Sequence, residues 1–338
     1  MNTRQLGNTT LYLSEIGFGA WAIGGESPRF GWGPQDDRES VAAIHRALEL
    51  GVNWIDTAAI YGFGHSETVV GQALKGRRHE VILATKCSQV WDADGNTTQN
   101  LTRASVRREC DESLKRLQTD VIDLYQIHWP NDNEHLEEGW EEIGRLIDAG
   151  KVRYGGVSNF HFDMNNMYRA QKVRAISSLQ APYSILRRYP EFETFKYCHD
   201  HQIGFLAYSP MQAGLLTGKF DKQKIAENDW RQGAKEYTGP NLRINLDFVD
   251  SLRTIAAKYD KSVGQLAIAW TLRRPEMTSA IVGARRPSQI EETVGGAGWS
   301  IHPEDLQEID RLCMERLEKV QTAGGFVHPN EQTIPVSA

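Results

Sequence analysis

Cysteine is scarce in this chain: Cys87, Cys110, Cys198 and Cys313 are the only four among 338 residues. They lie far apart, with no CxxC pair and no metal-ligand spacing. They therefore read as reduced thiols filling small core positions, and neither a disulfide framework nor a bound metal is expected. Long apolar runs are missing as well. None approaches the roughly 18 residues of a membrane span, and the opening MNTRQLGNTT lacks the apolar core of a signal peptide. A cytoplasmic protein without a membrane partner is the expectation. No block of Lys or Arg occurs and the formal net charge is -6, which disfavours a nucleic-acid surface and suits a small-molecule site. The dinucleotide fingerprint GxGxxG is absent too. The first strand exit reads GFGAWAIGG from Gly17 to Gly25, with glycines at the wrong spacing for a Rossmann turn.

What the chain does contain is a repeat. Its length, 40% apolar and 24% charged residues are those of one large α/β domain spanning 1–338. RQLGNTTLYL, residues 4–13, predicts a β-hairpin around Gly7-Asn8. Short apolar strands then follow at 15–19, 52–55, 80–84, 121–127, 154–157, 176–179, 204–208 and 279–282. Amphipathic helices alternate with them. Asp36 caps the first, Val41, Ile44 and Leu48 share its face, and Gly51 ends it. A stripe of Val106, Cys110, Leu114 and Leu117 marks the third, and Leu136, Trp140, Ile143 and Ile147 the fourth, closed by Gly150. Eight such units favour a (β/α)8 TIM barrel with an N-terminal hairpin cap over an open sheet. Two stretches fall outside the repeat: 211–246, expected as a long loop over the rim, and the tail after Arg316, expected without helical structure.

Reacting groups of such barrels sit at the C-terminal ends of strands. GVNWIDTAAIYGFGHSE places Asp56 at one strand end with Tyr61 five residues on, ATK places Lys86, and QIHWP places His128. Each alone has an ordinary structural reading, yet together they make an acid–base set. A buried ammonium is expected to lower the phenol pKa of Tyr61, while Asp56 orients Lys86 and His128 points a carbonyl. Tyr61 would then protonate an oxygen that has become an alkoxide, which implies a separate hydride donor. A Schiff-base role for Lys86 is disfavoured, because an amine beside Asp56 stays protonated.

These motifs, with GKVRYGGVSNF, SLQAPYS, LAYSPMQAGLLTGKF and AIVGARRPSQIEET, resemble the aldo-keto reductase family, in particular its bacterial, stress-protein-like branch. The resemblance covers about residues 6–309. It implies a barrel using NADPH, with NADH less favoured, to reduce small-molecule aldehydes and ketones reversibly, as a monomer or small homo-oligomer. Asp56, Tyr61, Lys86 and His128 fall on the catalytic tetrad. Ser158, Asn159 and Gln180 match the nicotinamide carboxamide ligands, and Tyr208 matches the aromatic stacked on the ring. Gly19, Ala20 and Trp21 match the segment beside the nicotinamide ribose and substrate. The loop with Ser209, Gln212, Gly214 and Lys219 corresponds to the diphosphate cover. Gly283, Ala284, Arg285, Gln289 and Glu292 correspond to the adenosine end, where Arg285 and Arg286 favour the 2′-phosphate. Trp21, Trp32, Trp91 and Trp129 are the expected pocket aromatics, whereas Trp54, inside a strand, is expected in the core. The alternative function is a slow-turnover NADP(H)-sensing subunit of a larger assembly.

Overall fold

A computed structural model describes residues 1–26 and 31–327. The hairpin forms as expected, β1 (Thr3–Gln5) antiparallel to β2 (Tyr12–Ser14) with Thr3 opposite Ser14. The chain then runs through β3 (Ile16–Gly19), α1 (Asp37–Glu49), β4 (Trp54–Asp56), α2 (His65–Ala73) and β5 (Ile82–Cys87). A second hairpin, β6 (Gln89–Trp91) and β7 (Thr97–Gln99), precedes α3 (Arg103–Leu117). There follow β8 (Ile122–Ile127), α4 (Leu136–Asp148), β9 (Val152–Ser158), α5 (Met164–Val173), β10 (Ser178–Pro182), α6 (Thr194–Asp200) and β11 (Gly204–Tyr208). The chain continues with α7 (Gly239–Ala257), α8 (Val263–Leu272), β12 (Met277–Gly283), α9 (Pro287–Val294) and α10 (Pro303–Thr322). Eight parallel strands close into a barrel in the order β10-β11-β12-β3-β4-β5-β8-β9.

The eight expected strands are the eight barrel strands, with their ends shifted by the hydrogen-bond ladder. Val52 gives its N–H to Ala47 O at 3.0 Å, still part of the helix exit, so β4 begins only at Trp54. Helix α1 buries Ser40, Ala43, Ile44 and Ala47, leaving Val41 and Leu48 half-buried. The closest neighbours of α1 are the helices on either side of it, α2 and α9.

Trp54 is core, as expected. Its ring fills the barrel over Gly17, where an added Cβ would stand 2.1 Å from the indole. Its Nε1–H donates to Ser279 Oγ at 3.0 Å. Leu6, Leu11 and Leu13 of the hairpin join Trp54, Leu124 and Leu206 in one interior cluster, so the hairpin plugs the N-terminal end of the barrel.

Two expectations fail. Stretch 211–246 is not one loop: it makes four short 3-10 turns, and α7 starts at Gly239. Nor is the chain after Arg316 irregular. Helix α10 runs on to Thr322 because Val320 is buried on the same face as Ile309 and Cys313. The end is closed by Gly324 at φ +63° and by Gly325 N–H on Val320 O at 2.9 Å. The rest of that tail, from residue 328, lies outside the described residues.

Candidate active site

Strand pairing brings the four expected reacting groups to one rim. Asp56 ends β4 opposite Ala84 of β5, and Lys86, one alternation further along β5, pairs with Gln126 of β8. The Lys86 ammonium, fully buried, spends its three donors on Asp56 Oδ2 at 2.6 Å, Thr57 O at 2.9 Å and Tyr61 Oη at 3.3 Å. The other Asp56 oxygen accepts Gln180 Nε2 at 2.7 Å and Gln126 Nε2 at 3.3 Å. Tyr61 meets the His128 ring edge-on at 5.7 Å. Its backbone is placed by a left-handed run, Gly62 (φ +61°), Phe63 (+53°) and Gly64 (+93°). A Cβ on Gly62 would stand 2.0 Å from Gly24 O, so only glycine lets these two loops touch.

One electrostatic expectation is overturned. The Tyr61 phenol is pushed well above its usual pKa, by burial first and by the Asp56 carboxylate second. The Lys86 ammonium, nearer to Asp56 (2.6 Å) than to the phenol (3.3 Å), does not reverse that direction. Burial lowers the Lys86 pKa against the pull of Asp56. His128 is held well below the usual imidazole value, by burial and then by the Lys86 charge. At neutral pH Tyr61 is thus a neutral phenol and His128 a neutral imidazole. The Schiff-base reading loses its geometry, since the Lys86 side chain is 0% exposed.

A cleft of about 960 Å³ opens above this set. Gly19, Trp21, Trp32, Tyr61, His128, Trp129, Ser158, Asn159, Gln180, Tyr208, Ser209, Gly214, Lys219, Gly283, Arg285, Gln289 and Glu292 all line it. Ala20 and Ala284 do not; both are buried behind the wall. Gln212 is buried too, its side-chain oxygen accepting from Ser184 Oγ at 3.5 Å and its backbone carbonyl from Tyr237 Oη at 2.8 Å. Trp91 stays off the cleft, stacked on Phe63 at 5.4 Å in the β6–β7 hairpin. Trp230 was missed in the sequence, yet it stacks on Trp21 at 5.9 Å and meets Trp32 edge-on at 6.0 Å. Gln126 was also missed, since nothing in a strand interior announces an amide reaching Asp56.

The cleft fits an elongated dinucleotide. Ser209, Gln212, Ala213, Gly214 and Gly218 all have positive φ, a backbone form that turns amides toward an anion. The Asn159 amide donates to His128 O at 3.0 Å and accepts from Tyr208 Oη at 2.9 Å. Gln180 pairs in register with Ser158, and its backbone carbonyl accepts the Asn159 N–H at 3.0 Å. Two cations stand differently from expectation. Lys219 Nζ pairs with Glu292 Oε2 at 2.6 Å, strapping the 209–219 loop to α9. Arg285 turns away from the helix end, donating from Nε to Gln35 Oε1 at 2.6 Å and from Nη1 to Trp32 O at 3.0 Å.

The model of the aldo/keto reductase family matches residues 15–313. The chain belongs to that family. Aldo-keto reductase YhdN of Bacillus subtilis (strain 168) is 39% identical over 92% of this chain and 93% of its own. The NADH-specific methylglyoxal reductase of Escherichia coli (strain K12) is 33% identical over 94% and 100%. Among solved structures, the glycerol dehydrogenase AKR11B4 from Gluconobacter oxydans superposes with a TM-score of 0.85 at 33% identity, over 97% of this chain and 98% of that one. An aldo-keto reductase from Klebsiella pneumoniae in complex with NADPH gives 0.71 at 28%, over 92% and 94%. As an aldo-keto reductase the protein is an oxidoreductase, and its closed barrel is the architecture of these neighbours. No described helix is long and apolar enough to cross a membrane.

Proposed function

We propose that this aldo-keto reductase reduces aldehydes and ketones to alcohols with NADPH, with Tyr61 as the proton donor. The observation that carries the reading is the Lys86 ammonium held between Asp56 Oδ2 (2.6 Å) and Tyr61 Oη (3.3 Å) at the floor of the cleft. A bound nicotinamide dinucleotide supplies the hydride. Ser158, Asn159 and Gln180 would hold its carboxamide, Tyr208 would lie against its ring, and the 209–219 backbone would receive its diphosphate. His128, neutral, donates to the carbonyl oxygen and orients it. As charge gathers on that oxygen, the Tyr61 hydroxyl gives up its proton, and the nearby ammonium stabilises the phenolate left behind.

The raised phenol pKa suits this direction. A donor must be protonated, and Tyr61 stays so across the neutral range. Reduction should therefore hold its rate from neutral to alkaline pH, while alcohol oxidation, which needs the phenolate, should climb steadily with pH. A flat pH profile for oxidation would remove Tyr61 from the role. Arg286, exposed at the start of α9 and without a partner among the described residues, is assigned the 2′-phosphate. The Klebsiella pneumoniae neighbour holds NADPH while the Escherichia coli relative is named for NADH, so the family alone does not decide between them.

The direct test is Tyr61→Phe. It should bind NADPH as the parent does and lose about 10²–10⁴ of its turnover of 4-nitrobenzaldehyde. Parent-like turnover in that variant would exclude Tyr61. Stoichiometric NADPH oxidation without steady turnover in the parent would favour the sensing subunit instead.

A further inference from the structure

Arg285 and Arg286 are adjacent in sequence, but the fold puts them to different uses. The Arg285 guanidinium is half-buried and is committed to a single loop, the segment between β3 and α1. It donates to Gln35 Oε1 (2.6 Å), to Trp32 O (3.0 Å) and to Pro34 O. The contact is reciprocal, since Gln35 Nε2 returns a bond to Arg285 O at 2.8 Å. Gln289, the other expected adenosine ligand, accepts the Arg285 backbone N–H at 2.7 Å. Four hydrogen bonds thus join the exit of β12 to the loop that carries Trp32.

Trp32 is in turn gripped on its ring. Arg231 lies 4.5 Å above the indole centroid, held there by Asp229 (2.6 Å) and Ala213 O (2.9 Å). Trp21 meets the same ring edge-on at 5.1 Å, and Trp21 stacks on Tyr61 at 6.2 Å. The path from Arg285 to the proton donor is therefore Arg285, Trp32, Trp21, Tyr61, each in contact with the next. A guanidinium with five donors in a fixed fork is suited to fixing three oxygen acceptors at once, which an ammonium on a flexible stem is not.

We propose that Arg285 is a positioning residue, not a phosphate ligand: through Gln35 and the Trp32 carbonyl it sets the aromatic wall of the substrate mouth. The 2′-phosphate then falls to Arg286 alone. The inference extends the carbonyl-reductase reading and assigns the mouth its specificity. Bulky aryl aldehydes gain from a fixed Trp32, whereas a two- or three-carbon aldehyde, with no ring to stack on it, does not.

The test separates binding from turnover. NADPH and NADH are titrated by tryptophan fluorescence, and steady-state KM and kcat are measured for 4-nitrobenzaldehyde and for propionaldehyde. Arg285→Ala should raise KM for the aryl aldehyde about tenfold relative to propionaldehyde and leave the NADPH-to-NADH affinity ratio as in the parent. Arg285→Lys should not rescue it. Gln35→Ala, a change in a surface loop that threatens folding less, should shift the two KM values the same way. The Arg285→Ala/Gln35→Ala pair should be no worse than Arg285→Ala alone. Arg286→Ala should cut the affinity ratio about tenfold. The proposal is overturned if Arg285→Ala lowers the affinity ratio as Arg286→Ala does, or if Gln35→Ala and Arg285→Ala leave the KM ratio of the two aldehydes unmoved. Because the cofactor titrations need no turnover, an enzyme that reduces neither aldehyde would count against the reductase reading while the assignment of the two arginines was still decided.

Discussion

Glu109 lies on the buried face of α3, where its carboxylate accepts Ser88 N–H and Ser105 Oγ, each at 3.0 Å. Burial outweighs those two bonds and raises its pKa to about 7. A raised pKa favours the protonated form in the folded state, so its stabilising effect is complete below the unfolded value near 4.5 and fades as pH rises through 7. Glu109→Gln should therefore gain stability over the parent at pH 8 by up to about 3 kcal/mol, and much less at pH 5. Denaturant unfolding of both proteins at the two pH values measures this, and an equal difference at both would refute it. The same balance of burial against pairing explains what was and was not legible at Tyr61. Its place on the loop just beyond the Asp56 strand end followed from the strand pattern, but the direction of its pKa did not. That depends on whether Lys86 is nearer the phenol or nearer Asp56, a difference of 0.7 Å that no spacing encodes.

Strands and helices were legible because the buried apolar runs and stripes repeat, and the barrel order follows from eight such units. The connections carry no period. The β6–β7 hairpin turns on Asp92, which accepts Asp94 N–H (3.0 Å) and Asn96 N–H (2.8 Å), with Gly95 at φ +79°. The Asp94-Gly95 pair was the signal available for it. Stretch 211–238 had none, because its 3-10 turns are fixed by contacts such as Tyr237 Oη on Gln212 O. Trp230 comes to back Trp21 and Trp32 only through that path, and Trp91 leaves the cleft because its hairpin folds toward Phe63. The turn after Ile60 gives the sharpest test at this scale. Gly62→Ala adds a Cβ against Gly24 O in a left-handed conformation, so the loop must shift and carry Tyr61 with it. Turnover of 4-nitrobenzaldehyde should fall roughly 10–100-fold, with NADPH affinity kept, because the nucleotide groups sit on other strands. Loss of both together would show that the turn serves the cofactor as well.

Across the whole molecule the two ends of the barrel have separate tasks. The C-terminal rim holds Asp56, Tyr61, Lys86, His128 and the cleft, and the N-terminal end holds the plug. Leu6, Leu11 and Leu13 seal the interior below Trp54, and Arg4 Nη1 ties the hairpin to Met277 O at 2.7 Å and Leu272 O at 3.1 Å. Leu6 is fully buried, and its Cδ1 crowds Gly204 so closely that a Cβ there would stand 2.5 Å away. Leu6→Ala would leave a void that this packed end cannot collapse, costing about 2–5 kcal/mol. In a chain of this size that corresponds to a Tm drop of roughly 3–7 °C. None of the groups on the opposite rim touches Leu6, so kcat and KM at 25 °C should match the parent. Thermal unfolding and steady-state kinetics on one preparation decide the matter. A loss of turnover at 25 °C with the fold intact would mean that the plug and the site are coupled through the Trp54 layer, and the separation of ends would be wrong.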